Sequence, residues 1–541
     1  MDITTASRSL ALGSLFFAIT AHAAPGNNKS TGDLLNEFWS PDRISPFECR
    51  FGILNSTPFG LPRCMQASNI QYHLDMFYGI AEANDGNRAA GLSGYQASVD
   101  YVKTTLESAG YDVTIQPFPF NAFYPAGDGI MQAIAPTPTD YVWEEDFTYL
   151  SQTEPGDVSG MAVAVDVQLG PDNTSTSGCE PEDFTDFPAG SVAVIQRGAC
   201  AFGQKATNAA NAGAVGVVIF NQGNTEDRKG LINATLGDDY AGGIPAVFTT
   251  YDIGAGWVEQ PDLQLRVVTN VVREQTETVN VIAQTSRGNP DNVVMTGAHL
   301  DSVFEGAGIN DNGSGSAALL ELALQMERAH PRNQVRFAWW GAEEAGLVGS
   351  TFYVNSLSQE EKDKIKVYLN YDMIGSPNFG NFIYDGDGSD FDLAGPPGSA
   401  ATEALFEKYF NLREIASEGT EISFRSDYAQ FFEDGIAFGG LFTGAEVVKT
   451  EEQAAKFGGE AGIAFDPCYH SACDDITNVD ELALEINGDA AAFVTSWLSL
   501  STRVIDEEIA DAEEAEPAAG ARTLQVEQQR DITHWGDKWI K

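Results

Sequence analysis

His299 and His470 are the two histidines of this chain placed for chemistry. His299 closes an apolar run and leads into Leu300-Asp301-Ser302, while His470 lies in Asp466-Pro467-Cys468-Tyr469-His470-Ser471-Ala472-Cys473-Asp474. The other four of the six read as structural or exposed. His22 lies near the N-terminus, His534 near the C-terminus, His73 in a helical pattern and His330 at a helix end before Pro331. Three groups of acids share the placement of His299 beside predicted strand ends. Asp311 lies in Gly308-Ile309-Asn310-Asp311-Asn312-Gly313, the pair Glu343-Glu344 follows the run ending at Trp340, and Asp372 follows Val367–Tyr371. In a chain with 78 Asp and Glu one acid means little; several at one predicted sheet edge, with imidazoles beside them, point to a metal. Neutral imidazole and carboxylate oxygens are a proper ligand set for zinc, with cobalt or manganese as other fits. Two imidazoles and three carboxylates suffice for two ions sharing one bridging acid. Two ions ~3.5–4 Å apart activate a water and stabilise an oxyanion together.

Holding these side chains in place takes strands and helices in alternation. From Asn280 the pattern predicts strands at Val279–Gln284, Asn292–Gly297, Gln334–Trp340 and Lys366–Asn370. Helices are expected at Gly315–Ala329, Gly346–Asn355, Ser399–Phe410, Ser426–Glu433 and Glu481–Ser501. Such alternation marks an α/β domain with a mixed, mostly parallel sheet flanked by helices. Ligands of open α/β sheets gather beyond the carboxyl ends of the strands, where the candidate residues fall. Upstream, Ser68 to Gly110 has helical apolar spacing, and Val113–Phe118 reads as a strand. Residues 136–275 differ: short apolar runs separated by Gly, Asn, Asp and Thr, one helix at Gln204–Ala212, and no histidine. They read as a small β-rich insert without metal-ligand spacing. Residues 506–541 read as an acidic linker and tail.

With 30 Lys+Arg against 78 Asp+Glu the net charge is 30 − 78 = −48. That field argues against nucleic acid or an anionic membrane surface as partner, and no later stretch approaches the ~20 apolar residues of a membrane span. Arg8, the run Leu10 to Ile19 and Ala21-His22-Ala23 read as a cleavable signal over 1–23, so the protein is expected to be secreted or periplasmic. Residues 24–64 follow as a lead-in. The six cysteines fall into sequence-local pairs, Cys49 with Cys64, Cys179 with Cys200 and Cys468 with Cys473. An even count in an exported chain favours disulfide staples over free thiols.

Four segments taken in order carry a family resemblance. Gly297-Ala298-His299-Leu300-Asp301-Ser302, Asn310-Asp311-Asn312-Gly313-Ser314-Gly315, Trp340-Gly341-Ala342-Glu343-Glu344-Ala345-Gly346-Leu347 and Tyr469-His470 resemble the M28 family of zinc peptidases, notably secreted leucyl-type aminopeptidases of bacteria. The likeness covers about 65–135 and 276–503. Between them, Ala189-Gly190-Ser191-Val192-Ala193-Val194-Ile195-Gln196-Arg197-Gly198 resembles a protease-associated (PA) domain. The resemblance implies two zinc ions: His299 and Asp372 on one, Glu344 and His470 on the other, Asp311 bridging. It makes Glu343 the general base that takes the attacking water's proton and passes it to the leaving amine. Asp301 would orient His299, and Tyr469 would donate its hydroxyl to the oxyanion.

Peptide or protein N-termini are then the expected substrates, with large apolar residues such as leucine removed first. A substrate amine needs an anionic partner; Glu421 is the first choice, Glu418 and Asp427 the others. A carboxypeptidase would instead place cations in the pocket, for which Arg425 is the one obvious candidate. A glutaminyl cyclase is expected to keep one zinc and an inactive binding homologue to lose ligands, whereas this chain keeps all five and Glu343.

Overall fold

The structure, a computed structural model, describes residues 48–49 and 52–515, apart from 233, 238 and 239. The expected signal, most of the lead-in and the end of the acidic tail lie outside the described residues. Among those described, no helix is long and apolar enough to cross a membrane.

Eight strands form the main sheet: β1 (Val113–Pro125), β2 (Val271–Gln284), β3 (Asn289–His299), β4 (Asn333–Trp340), β5 (Ile365–Tyr371), β6 (Phe382–Tyr384), β7 (Glu418–Thr420) and β8 (Phe438–Phe442). Their order is β1-β2-β4-β3-β5-β8-β6-β7. The centre is parallel, β3 pairing with β4 and β5, and β5 with β8. The β1–β2, β2–β4 and β6–β8 pairs are antiparallel. Central strands that are apolar on both faces must be covered on both, and here alternate residues enter separate cores. Val294, Val335, Phe337, Val367 and Leu369 face one core; Val293, Met295, Ala338, Trp340 and Tyr368 face the other. Each large side chain so buried contributes ~2 kcal/mol.

The first core is covered by α1 (Ala67–Glu82), α2 (Ser93–Ala109), α3 (Gly315–Met326), α5 (Ser399–Arg413) and α6 (Glu481–Leu500), the second by α4 (Val348–Ser356). Gly110 ends α2 in the left-handed region at φ 110, and the Asp480 carboxylate caps α6 by accepting from the N–H groups of Leu482 and Ala483. Helices expected from Gly346 and Ser426 begin later, at Val348 and Ala429. The residues ahead of them are spent on turns, with Gly346 N–H on Glu343 O and Ala429 N–H on Ser426 O. The expected linker from Asp506 is corrected more substantially, since Arg503–Ala515 is a helix, α7. Ile505 is fully buried and Ile509 packs beside it, a spacing of four residues that places both on one face. Its acids are partly used: Asp506 pairs with Lys366 at 3.3 Å and Glu508 accepts from Ala401 N at the start of α5.

β1 and β2 pair along their whole length, from Val113↔Ala283 to Pro125↔Val271. The chain between their far ends builds a second, nine-stranded sheet between Ile130 and Thr269. Helix Phe202–Asn211 covers the face presenting Ala193, Ile195 and Val217, and helix Tyr251–Val258 the face presenting Val192, Val194 and Val218. The second of these helices carries no clear signal in the sequence. All three expected cysteine pairs are disulfides.

Candidate metal centre

Three adjacent parallel strands, β4, β3 and β5, end side by side. That brings His299 at the end of β3, Glu343-Glu344 after β4 and Asp372 after β5 to one edge. Asp311 enters from the loop ahead of α3, where its peptide bond to Asn312 is cis. His470 comes from the loop closed by the Cys468–Cys473 disulfide and takes φ 53.

Asp311 offers one oxygen to each imidazole. Oδ1 lies 3.2 Å from His299 Nε2 and Oδ2 lies 3.1 Å from His470 Nε2. Each imidazole has a second carboxylate, Asp372 Oδ1 at 3.3 Å from His299 Nε2 and Glu344 Oε2 at 3.1 Å from His470 Nε2. Glu343 Oε2 lies 3.9 Å from His299 Nε2, and Glu343 is buried. Among the described residues, Glu344 Oε1 and Asp372 Oδ1 are buried without a hydrogen bond. Such oxygens are costly unless something positive meets them.

The electrostatics make the same demand. Burial opposes a charge on either imidazole, yet the surrounding carboxylates outweigh it, raising His470 to about 10 and lifting His299 well above its ordinary value. Burial likewise opposes ionisation of Asp311, but hydrogen bonds from both imidazoles hold it below the usual carboxylate range. Burial raises Glu344 to about 7 and Glu343 well above a normal glutamate, with Asp372 and Asp427 adding to the latter. The pocket therefore calls for positive charge at the imidazole nitrogens, where divalent cations would displace protons. Among the described residues three groups meet ligand spacing; two share His299 here, with Asp311 and Glu344 and with Glu343 and Asp372, and the third, Asp385 with Asp387 and Glu403, lies away from this site. The residues present fit a divalent-cation centre.

Other site residues sort by position. Asp301, expected to orient His299, puts its carboxylate 3.7 Å from Nδ1, while its backbone carbonyl lies at 3.1 Å. The carboxylate accepts from the N–H groups of Glu343 and Glu344 at 3.2 and 3.3 Å, so it shapes the turn bearing those glutamates. Tyr469 lines the cavity, stacked on His470 with centroids 3.8 Å apart. Arg425 reaches the same cavity but is engaged, with Nη1 on Glu446 at 2.8 Å and Nη2 donating to Tyr469 Oη at 3.2 Å. The three acids considered for a substrate amine separate. Glu421 is exposed and lines the cavity, Glu418 pairs with Lys456 at 3.0 Å, and Asp427 is buried.

Sequence reasoning missed the residues that hold the ligand loops. Arg88, fully buried between α1 and α2, donates to the backbone carbonyls of Leu300, Ala307 (2.9 Å) and Gly308 (2.6 Å). Asp474 accepts from the N–H groups of Asn310 and Asp311, and Asp466 accepts from Asn310 Nδ2. Ser426 donates to Asp372 Oδ2 at 2.6 Å and accepts from Asn370 Nδ2. Arg88 sits in a Gly- and Asn-rich loop that signals only a turn. Asp466 and Asp474 flank the His470 segment, and that proximity was the available signal.

Residues 280–495 match the model of peptidase family M28, and 158–257 that of the PA domain. An aminopeptidase of Pseudomonas aeruginosa is 64% identical over 534 residues, 98% of each chain. A probable lipoprotein aminopeptidase of Mycobacterium tuberculosis is 43% identical over 431 residues, 78% of this chain and 82% of the relative. Among solved structures, an aminopeptidase from Aneurinibacillus sp. strain AM-1 superposes with a TM-score of 0.64 over 80% of this chain and 94% of its own, at 24% identity, a likeness of fold. With the metal-ligand geometry at the carboxyl edge of its sheet, the chain belongs to peptidase family M28, as an aminopeptidase with a PA domain set between two neighbouring strands.

Proposed function

We propose that this protein is an exported dizinc aminopeptidase that removes N-terminal residues, large apolar ones first, from peptides. The observation that carries the reading is Asp311 facing both imidazoles, one oxygen to each. His299 and Asp372 would hold one zinc, Glu344 and His470 the other, with Asp311 common to both. When bound, the two cations supply Lewis acidity that polarises the scissile carbonyl and makes water a nucleophile at neutral pH.

The remaining steps belong to the chain's own side chains. Glu343 takes the water's proton and delivers it to the leaving amine. Tyr469 Oη, held by Arg425, donates to the developing oxyanion. Glu421, on the cavity wall, receives the substrate's free amine. Leu347, Met373, Tyr384 and Phe442 line the same cavity and favour an apolar first side chain. The ion pair of Arg425 with Glu446 argues against the carboxypeptidase reading, because that guanidinium already has its carboxylate.

The test is hydrolysis of leucine p-nitroanilide beside its N-acetylated form, before and after chelation and with zinc restored. Cleavage of the free-amine substrate alone, lost on chelation and regained with zinc, is the expected result. Equal cleavage of both forms, or activity indifferent to chelation, would overturn it.

A further inference from the structure

Away from the metal centre, Lys205 lies fully buried on the PA-domain helix Phe202–Asn211. Its Nζ donates to Ser177 O at 2.5 Å and to Cys179 Sγ at 3.5 Å. An ammonium removed from water needs a counter-charge. Both acceptors it touches are neutral while the Cys179–Cys200 bond is intact. Burial pushes Lys205 down to about 8, with Asp183 offsetting that in part. The lysine therefore sits where a thiolate on Cys179 would supply the missing negative charge.

Hydrogen bonds hold the surrounding backbone in addition to the cross-link. From the same helix, Gln204 Nε2 donates to Cys179 O at 2.8 Å, and Asn208 Nδ2 donates to Gly178 O and Cys179 O at 3.1 and 2.9 Å. With Lys205 on Ser177 O, three side chains hold three consecutive carbonyls. The two sulfurs also differ in access: Cys179 is buried, and Cys200 is half-buried at the start of the helix.

We infer that Cys200 is an exchange site for low-molecular-weight thiols, with Cys179 the leaving group and Lys205 its counter-ion. The incoming thiolate attacks Cys200 Sγ and forms a new S–S bond there. The Cys179–Cys200 bond breaks, and its electron pair goes to Cys179 Sγ facing the ammonium. One disulfide replaces another: the incoming thiol is itself the reductant, its sulfur oxidised to the new disulfide as Cys179 sulfur is reduced to the thiolate, and no further oxidant or reductant is required. The helix N-terminus also favours a thiolate at Cys200, but with about half a charge, against the full charge of Lys205 beside Cys179. Lowering a leaving thiol's pKa speeds its departure, which sets the direction of the exchange.

The test treats the full-length metal-loaded protein with reduced glutathione at neutral pH, traps free thiols with iodoacetamide and maps the peptides by mass spectrometry. The expected product carries glutathione on Cys200 and the alkyl group on Cys179. Lys205→Met is expected to slow the exchange ~10-fold, and Lys205→Arg to preserve most of it. Adduct on Cys179, an even split, no exchange at this pair, or a wild-type rate in Lys205→Met would each overturn the inference. If Lys205→Met does not fold, the position of the adduct on the wild-type protein decides the matter.

Discussion

Each of the five candidate ligand side chains answers to its neighbours. Asp311 is shared between two imidazoles, so replacing it acts on two sites at once. On the proposed dizinc reading, Asp311→Asn is expected to weaken both zinc sites together, read as bound zinc per chain by atomic spectroscopy after dialysis. Retention of one tightly held equivalent would count against a bridging role. Glu343 stands beside the ligands, 3.9 Å from His299 Nε2, and in the proposed mechanism moves a proton without holding the chain's shape. Glu343→Gln is therefore expected to keep two zinc ions and lose ~10²–10⁴-fold in kcat. Near-normal turnover in that variant would remove Glu343 from the role of base.

At the scale of elements, short loops are fixed by buried polar groups from elsewhere in the chain. Arg88 ties down the loop after β3, while Asp466 and Asp474 lock the His470 segment to the loop of Asp311. A similar buried acid lies away from the centre. Glu403 on α5 accepts from Asp387 N at 3.0 Å, and burial raises its pKa to about 7. Its folded value thus exceeds the ordinary 4.5. Between those pH values the native state holds more of this proton than the unfolded chain, so this group's contribution to stability falls as pH rises from 4.5 to about 7. Glu403→Gln keeps an acceptor for Asp387 N and is expected to raise stability at pH 8 by ~1–3 kcal/mol. It should leave stability at pH 4 nearly unchanged. Denaturant midpoints at the two pH values check this; equal shifts at both would show that titration is not the cause.

For the whole molecule, the β1–β2 ribbon joins two units. Its Phe118, Phe120 and Ala122 pack with Ala342 and against Ala345, the residues flanking Glu343-Glu344, and Tyr124 stacks on Phe304 in the loop after β3. The ribbon therefore braces the turn of Glu343 and Glu344, whereas among the described residues the PA domain beyond it contributes none to the cavity lining. At its far end Ala126 N–H donates to Asn270 O at 2.7 Å, so the two strands leave the ribbon already paired. Replacing residues 127–269 with a two-residue hairpin turn is expected to leave a folded protein that binds zinc and cleaves leucine p-nitroanilide. Loss of metal binding in that variant would show that the PA domain is needed to form the peptidase fold. Retained cleavage of the small substrate with altered cleavage of long peptides would place the domain's work in substrate selection.

Much of this was legible along the chain because the signals are local. Strands β3, β4 and β5 announce themselves as apolar runs, and the candidate ligands His299, Glu344 and Asp372 stand at or just beyond their ends, so that part of the sheet edge could be read in order. The cysteine pairs were equally readable, each closing a short stretch of chain. Other features required the tertiary structure because they depend on distance across the fold. Arg88 lies 212 residues from Leu300, whose carbonyl it meets, and nothing in its own neighbourhood foretells burial. The carboxylate of Asp301, 3.7 Å from His299 Nδ1, also accepts from the Glu343-Glu344 turn, and Arg425 acquired Glu446 as a partner. The acidic stretch from Asp506 became a helix because Ile505 and Ile509 found a core to enter. Sequence determined which groups are available and which elements carry them. Packing decided which groups meet, because burial and pairing arise only when distant segments exclude water together.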